Sequence, residues 1–87
     1  MWAVVVKVDI TDLDDARASL DEVVASVRQA PGFVSGYWIQ LDDGHGISLA
    51  VFDAEESQVR ARAPEIGSTE RGVTFTGVEF GEVLAYA

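Results

Sequence analysis

The chain contains no cysteine, one histidine and only six basic residues. Without cysteine it can form neither a disulfide framework nor a thiolate zinc site. Six Lys and Arg residues against fifteen Asp and Glu residues give a formal net charge of −9 at pH 7. Nucleic-acid binding requires clustered bases that neutralise phosphates. The sequence therefore predicts no partner among nucleic acids or anionic membranes, and the acidity favours solubility.

Long apolar segments are also missing, since no run approaches the roughly 20 residues that a membrane helix needs. The segment from Met1 to Lys7 lacks the basic region and the small-residue cleavage site of a signal peptide. We therefore expect a cytoplasmic protein. Hydrophobic residues are abundant, at 48% of 87 residues. A chain of this length forms one domain, residues 1–87, and its small core leaves apolar surface for a partner.

Apolar periodicity predicts a strand followed by a helix in the first part of the chain. Residues 2–10 alternate as a strand that is apolar on most of both faces, which is typical of a central strand. A helix is predicted to begin at a Thr11 cap and to end near Ala30. Pro31 ends it, because a proline disfavours helical geometry in the residue before it.

The second part of the chain predicts a hairpin, a short helix and a last strand. Strands are expected over about 33–41 and 46–52, joined by a turn rich in Asp and Gly. A short helix over about 54–63 follows a capping pattern at Asp53. Residues 65–72 are expected to form a loop. The last strand spans about 73–86, with breaks at its two internal glycines, Gly77 and Gly81.

Two helices and four strands in this order predict an α+β fold of the ferredoxin-like βαββαβ type. This fold is an antiparallel four-stranded sheet with both helices on one face. Two helices cannot bury Val5, Trp38, Phe52 and the apolar residues of the last strand together. We therefore expect a second copy of the chain to cover the other face, in a homodimer.

Three short features resemble the dimeric α/β-barrel superfamily, and within it the antibiotic-biosynthesis-monooxygenase-like group. They are Pro31-Gly32-Phe33 before the second strand, the hairpin itself, and the segment Val51-Phe52-Asp53-Ala54-Glu55-Glu56. The resemblance implies a dimeric α/β barrel. It also implies a choice among cofactor-free oxygenases, haem-degrading monooxygenases, lactone isomerases and ligand-sensing proteins, because fold does not select among them.

The residues do not support the haem-degrading branch of that superfamily. Its members use an Asn near the end of the first strand, and a Trp and an iron-ligating His in the second half. Here the first strand has Val6-Lys7-Val8, and no Trp or His occurs from Asp53 onward. No Gly-x-Gly-x-x-Gly follows a strand, so a flavin or a nicotinamide is not indicated either. We expect no cofactor.

Lys7 is the strongest candidate for a binding residue. It is the only charge in the middle of the first strand, and its ammonium could bind a carboxylate or phenolate if that face lined a cavity. Val5, Trp38 and Phe52 would then wall the ligand pocket, with Glu79 near Lys7. In the alternative interpretation, the Lys7 stem packs and its head reaches water or a carboxylate such as Glu79.

His45 is the only histidine, and it lies in the hairpin turn beside Asp42 and Asp43. It could carry a proton, since its ordinary pKa is near neutrality. The three side chains together could hold a metal ion, but a solvated turn explains the same pattern, and we expect no metal. No Ser/His/Asp or Cys/His arrangement provides a nucleophile, so no catalytic residue is assigned.

Two functions remain open. The first is a non-catalytic dimeric module that binds a small aromatic or acidic ligand, or only assembles. The alternative is a cofactor-independent monooxygenase or isomerase that acts on a small aromatic or polyketide-like substrate. The missing haem-type residues favour the first, whereas an apolar lumen around Lys7 and Trp38 would favour the second.

Overall fold

The first strand of the chain is the middle strand of its sheet. The structure is a computed structural model that describes all residues from 1 to 87. In chain order the elements are β1 (Trp2–Ile10), α1 (Leu13–Arg28), β2 (Phe33–Asp42), β3 (His45–Phe52), α2 (Glu56–Arg60), β4 (Thr69–Glu70) and β5 (Val73–Glu82). The five strands lie in the order β2-β3-β1-β5-β4, and all neighbours are antiparallel. The α+β class, the two helices and the central position of β1 are confirmed.

The expected count of four strands is wrong, because β4 lies inside the segment predicted as a loop. The β4–β5 connection is a two-residue turn formed by Arg71 and Gly72, with φ values of 51° and 80°. Positive φ at both positions matches the twist of a tight hairpin. Glycine adopts this conformation freely, but arginine seldom does. The sequence around Arg71 therefore gave little indication of a hairpin.

Both helices begin later than predicted, because tertiary hydrogen bonds hold the expected cap residues. The backbone N–H groups of Thr11 and Asp12 donate to the Gly72 carbonyl oxygen at 2.8 and 3.0 Å. Asp12 instead of Thr11 caps α1, and its carboxylate accepts from the Asp15 N–H at 3.1 Å. The N–H of Asp53 similarly donates to a carbonyl in the turn before β2. As a result, α2 begins only at residue 56.

One of the two breaks predicted in the last strand is present. Lys7 pairs with Gly77 and Val8 pairs with Phe75, so Thr76 is an extra residue that bulges β5. The Thr76 hydroxyl donates to the Lys7 carbonyl oxygen at 3.2 Å. Gly81 pairs regularly, so no break occurs there, and β5 ends at residue 82 rather than 86.

The buried core lies between the sheet and the ends of the two helices. It consists of Val4, Ala30, Phe52 and Val59, which are between 1% and 8% exposed. Val59 comes from α2, and Val27 near the end of α1 packs against the same cluster. Both helices therefore contact the face of the sheet that carries Val4. Neither helix is long and apolar enough to cross a membrane.

The opposite surface of the sheet has no helix on it, and we call it the open face. It consists of Ala3, Val5, Lys7 and Asp9 of β1 with their cross-strand neighbours on β2, β3 and β5. Leu49 lies beside Val5, and Tyr37 and Ile39 of β2 are 61% and 49% exposed. The face therefore carries apolar side chains with no helix over them, together with the charges of Lys7 and Asp9. Of the three residues expected to need cover from a second copy, only Val5 lies on this face.

Candidate functional site

Small side chains separate the middle of α1 from the sheet. Ala16 and Ser19 lie on the inner side of α1, and Gly46 and Ser48 of β3 lie opposite them around the same space. Small residues on both sides cannot fill the distance between a helix and a sheet, which is about 10 Å between packed layers. No residue of α1 is fully buried, although the helix carries an apolar stripe. A cavity results.

The cavity has a volume of about 270 Å³ and a mostly apolar lining, with twelve hydrophobic residues among nineteen. The sheet supplies the side chains of Val6, Val8, Ile10, Trp38 and Phe75, and α1 supplies those of Leu13, Ala16, Leu20 and Val23. An apolar cavity of about 150 Å³ is enough to bind benzene, while pockets for drug-sized ligands begin near about 300 Å³. The space therefore suits a molecule between these two sizes.

Four polar side chains line the edge of the cavity. They are Arg17, Gln40, Glu70 and Arg71. The Arg17 Nη2 donates to the Gln40 Oε1 at 3.2 Å, which connects α1 to β2 across the edge. The Arg71 Nη2 lies 3.4 Å from the Glu22 Oε1. Arg71 is thus paired with a carboxylate, whereas Arg17 contacts only a neutral amide.

The β4–β5 turn closes one end of the cavity, because it packs directly on the start of α1. A Cβ at Gly72 would overlap the Asp12 carbonyl oxygen and lie 2.9 Å from the Ala16 nitrogen. Only glycine allows so close an approach at this φ value. The close contact fixes Glu70 and Arg71 beside the helix, where both line the cavity.

No known protein family, curated protein or solved structure matches this chain. The cavity is therefore interpreted from its own residues.

The five residues predicted to form one pocket lie on two sides of the sheet. Val5, Lys7 and Glu79 lie together on the open face, where the Lys7 Nζ is 3.7 Å from the Glu79 Oε2. Both charged side chains are more than half exposed. Trp38 lines the cavity under α1, and Phe52 belongs to the core. The structure therefore does not bring these five residues into one site.

A bulge in β2 determines which face receives Trp38. Phe33 pairs with Phe52 and Ser35 pairs with Val51, so Val34 is an extra residue in the strand. A single inserted residue exchanges the faces of every side chain that follows it. Trp38 consequently pairs with Ser48 on the helix side. No glycine or other turn residue stands at Val34 to indicate the bulge.

His45 binds two carboxylates at the end of the hairpin. Its Nδ1 lies 2.8 Å from the Asp42 Oδ1, and its Nε2 lies 3.7 Å from the Asp9 Oδ1. The hydrogen bond to Asp42 raises the pKa of His45 above its ordinary value. A hydrogen bond from the Gly44 N–H, followed by the one from His45, lowers the pKa of Asp42. All these side chains are exposed, and no cluster of three or more His, Asp and Glu has the geometry of a metal site.

The sequence analysis missed Arg17, Gln40 and the small residues that create the cavity. One signal was present: the apolar stripe of α1 is interrupted by Ala16 and Ser19, where larger side chains would fill the core. That signal becomes informative only once the opposite residues of β3 are known to be small as well. Chain order alone does not reveal this correspondence.

Proposed function

We propose that the protein is a non-catalytic module that binds a small apolar molecule in the cavity between α1 and the sheet. The single observation that carries this proposal is the cavity itself, with about 270 Å³ of space and a mostly hydrophobic lining. A native core is normally packed without such voids. The absent side-chain contacts cost stability, and a bound ligand would restore them.

The polar groups of the cavity support binding more than catalysis. Its ionisable side chains are Arg17, Glu70 and Arg71. His45 is the one histidine of the chain, and it is not part of the lining, although histidine is the residue that most often serves as a general acid or base. General acid–base catalysis is most efficient with a group whose pKa is close to the working pH. We therefore prefer the binding role to the monooxygenase or isomerase alternative.

The proposed architecture is a ferredoxin-like unit that forms a dimeric α/β barrel. The order β2-β3-β1-β5 of the four long strands supports it, and β4 is then a two-residue addition at the edge. In the homodimer, a second copy covers the open face. The charged groups of that face pair internally, as Lys7 with Glu79 and His45 with Asp9. These pairs reduce the charge repulsion between two open faces, although each chain carries −9.

A cavity-filling substitution tests the binding role. Ser19 lines the cavity, whereas Ala18 is exposed on the same helix and does not. The measurement is calorimetric titration of 2-naphthol into the wild type, Ser19→Phe and the control Ala18→Phe. We expect Ser19→Phe to weaken binding by at least about tenfold, because a phenyl ring occupies the ligand's volume. Equal affinity in all three proteins, or no binding to the wild type, would refute the proposal.

A further inference from the structure

Arg17 is the one basic residue of the chain that lines the cavity and has no carboxylate within ion-pair distance. Lys7, Arg60 and Arg71 each lie within ion-pair distance of a glutamate. Arg17, Arg28 and Arg62 do not, and of these three only Arg17 lines the cavity. In a chain with fifteen acidic residues, a guanidinium without a carboxylate partner at the edge of an apolar cavity is available to a ligand.

The geometry of Arg17 leaves most of its hydrogen-bonding capacity free. A guanidinium has five N–H donors, and the hydrogen bond from Nη2 to Gln40 is the only one that Arg17 makes. Gln40 comes from β2 and Arg17 from α1, so this bond holds the guanidinium across the edge of the cavity. A planar fork of donors in a fixed position matches the two oxygens of a carboxylate.

We propose that the natural ligand is an apolar monocarboxylic acid of about one or two rings, whose carboxylate binds Arg17. This inference rests on the proposed binding role of the cavity. The hydrocarbon part contacts the apolar lining, and the carboxylate stays at the wet edge, where it keeps part of its hydration. Glu70 also lies at this edge, and Arg71 is paired with Glu22. Arg17 is therefore the guanidinium at this edge that is left for a single carboxylate.

A pair of isosteric ligands tests the role of Arg17. The affinities of 2-naphthoic acid and 2-naphthamide are measured by calorimetric titration at neutral pH. The proteins are the wild type, Arg17→Gln and Arg28→Gln. Arg28 is an exposed arginine on the same helix outside the cavity, so its variant reproduces the change in net charge. We expect the wild type to prefer the acid by about tenfold, because hydrogen bonds to charged groups are the stronger ones.

The expected result is that Arg17→Gln abolishes the preference for the acid, because the acid loses more affinity than the amide, while Arg28→Gln retains the preference of the wild type. Equal binding of acid and amide to the wild type would overturn the inference, and the proposed function would survive. A preference that Arg28→Gln removes to the same extent would also overturn it, since net charge alone would then explain the effect. Failure of both ligands to bind would refute the proposed function as well.

Discussion

Replacement of Gly72 by alanine should destabilise the protein more than the same replacement at Gly67. Both glycines have positive φ values, 80° and 90°. At Gly67 an added Cβ meets no atom within 4 Å, whereas at Gly72 it overlaps the Asp12 carbonyl oxygen. The two positions therefore share the conformational cost of alanine at positive φ, about 1–2 kcal/mol. They differ in the steric cost.

The steric contribution to the loss of unfolding free energy in Gly72→Ala is set by the contacts that the added Cβ would break. The turn has to move away from α1, and the Gly72 carbonyl then loses its bonds from Thr11 and Asp12, at 2.8 and 3.0 Å. Each such bond contributes about 0.5–1.5 kcal/mol. The total cost for Gly72→Ala is about 3 kcal/mol. The whole stability expected for this length is about 4–13 kcal/mol.

Urea unfolding followed by far-UV circular dichroism measures this difference. The unfolding free energies are compared at one protein concentration, because a dimer's stability depends on concentration. We expect Gly72→Ala to unfold at a clearly lower urea midpoint than Gly67→Ala, with an unchanged slope. In thermal melts the loss at Gly72 corresponds to about 12–24 °C in Tm. If the two variants were equally destabilised, the packing of the turn against α1 would contribute nothing, and the reasoning would be refuted.

Two further predictions concern the open face and the hairpin. If the open face forms the proposed homodimer, Ile39→Asp should be monomeric in light scattering at low micromolar concentration, because a buried unpaired charge costs several kcal/mol. The control is Ala25→Asp, on the exposed side of α1, which should remain dimeric. A monomeric wild type would contradict the prediction. The raised pKa of His45 means that its stabilising contribution is complete below its unfolded pKa and is lost as pH rises through the folded value. The urea midpoint should therefore fall as the pH rises above about 6.5, the ordinary pKa of histidine. His45→Gln should lose most of this dependence, and an unchanged pH profile in the variant would show that His45 is not responsible.

Periodicity predicted the parts of the fold that depend on neighbouring residues along the chain. The central strand, the apolar stripe of α1 and the hairpin follow directly from the spacing of apolar residues and glycines. The errors have tertiary causes. Arg71 adopts a positive φ that packing enforces, and Val34 inserts a bulge that reverses the faces of β2. The cap of α1 shifts because Gly72 holds Thr11 from a distance of more than sixty residues, and the start of α2 shifts because the Gly32 carbonyl holds Asp53.

The candidate site was harder to predict than the fold, because it results from residues that are small rather than from residues with distinctive chemistry. Lys7 was predicted to bind a ligand because it is a charge in an apolar strand, yet it pairs with Glu79 on the open face. Arg17 looked like an ordinary solvent-facing helix residue. Its significance depends on Gln40, which lies 23 positions away. A single sequence contains no measure of such proximity.

Because α1 is attached to the rest of the fold at its two ends, the residues between those ends can be substituted with little effect on its position. The start of the helix is held by hydrogen bonds to Gly72. Its end is held by the packing of Val27 and Ala30 against the core. The span between contributes no buried residue. Substitutions along that span can therefore reshape the cavity without removing the contacts that keep the helix in place. The shape of the cavity and the stability of the fold therefore depend on different residues of one helix, so the cavity can diversify while the fold is conserved.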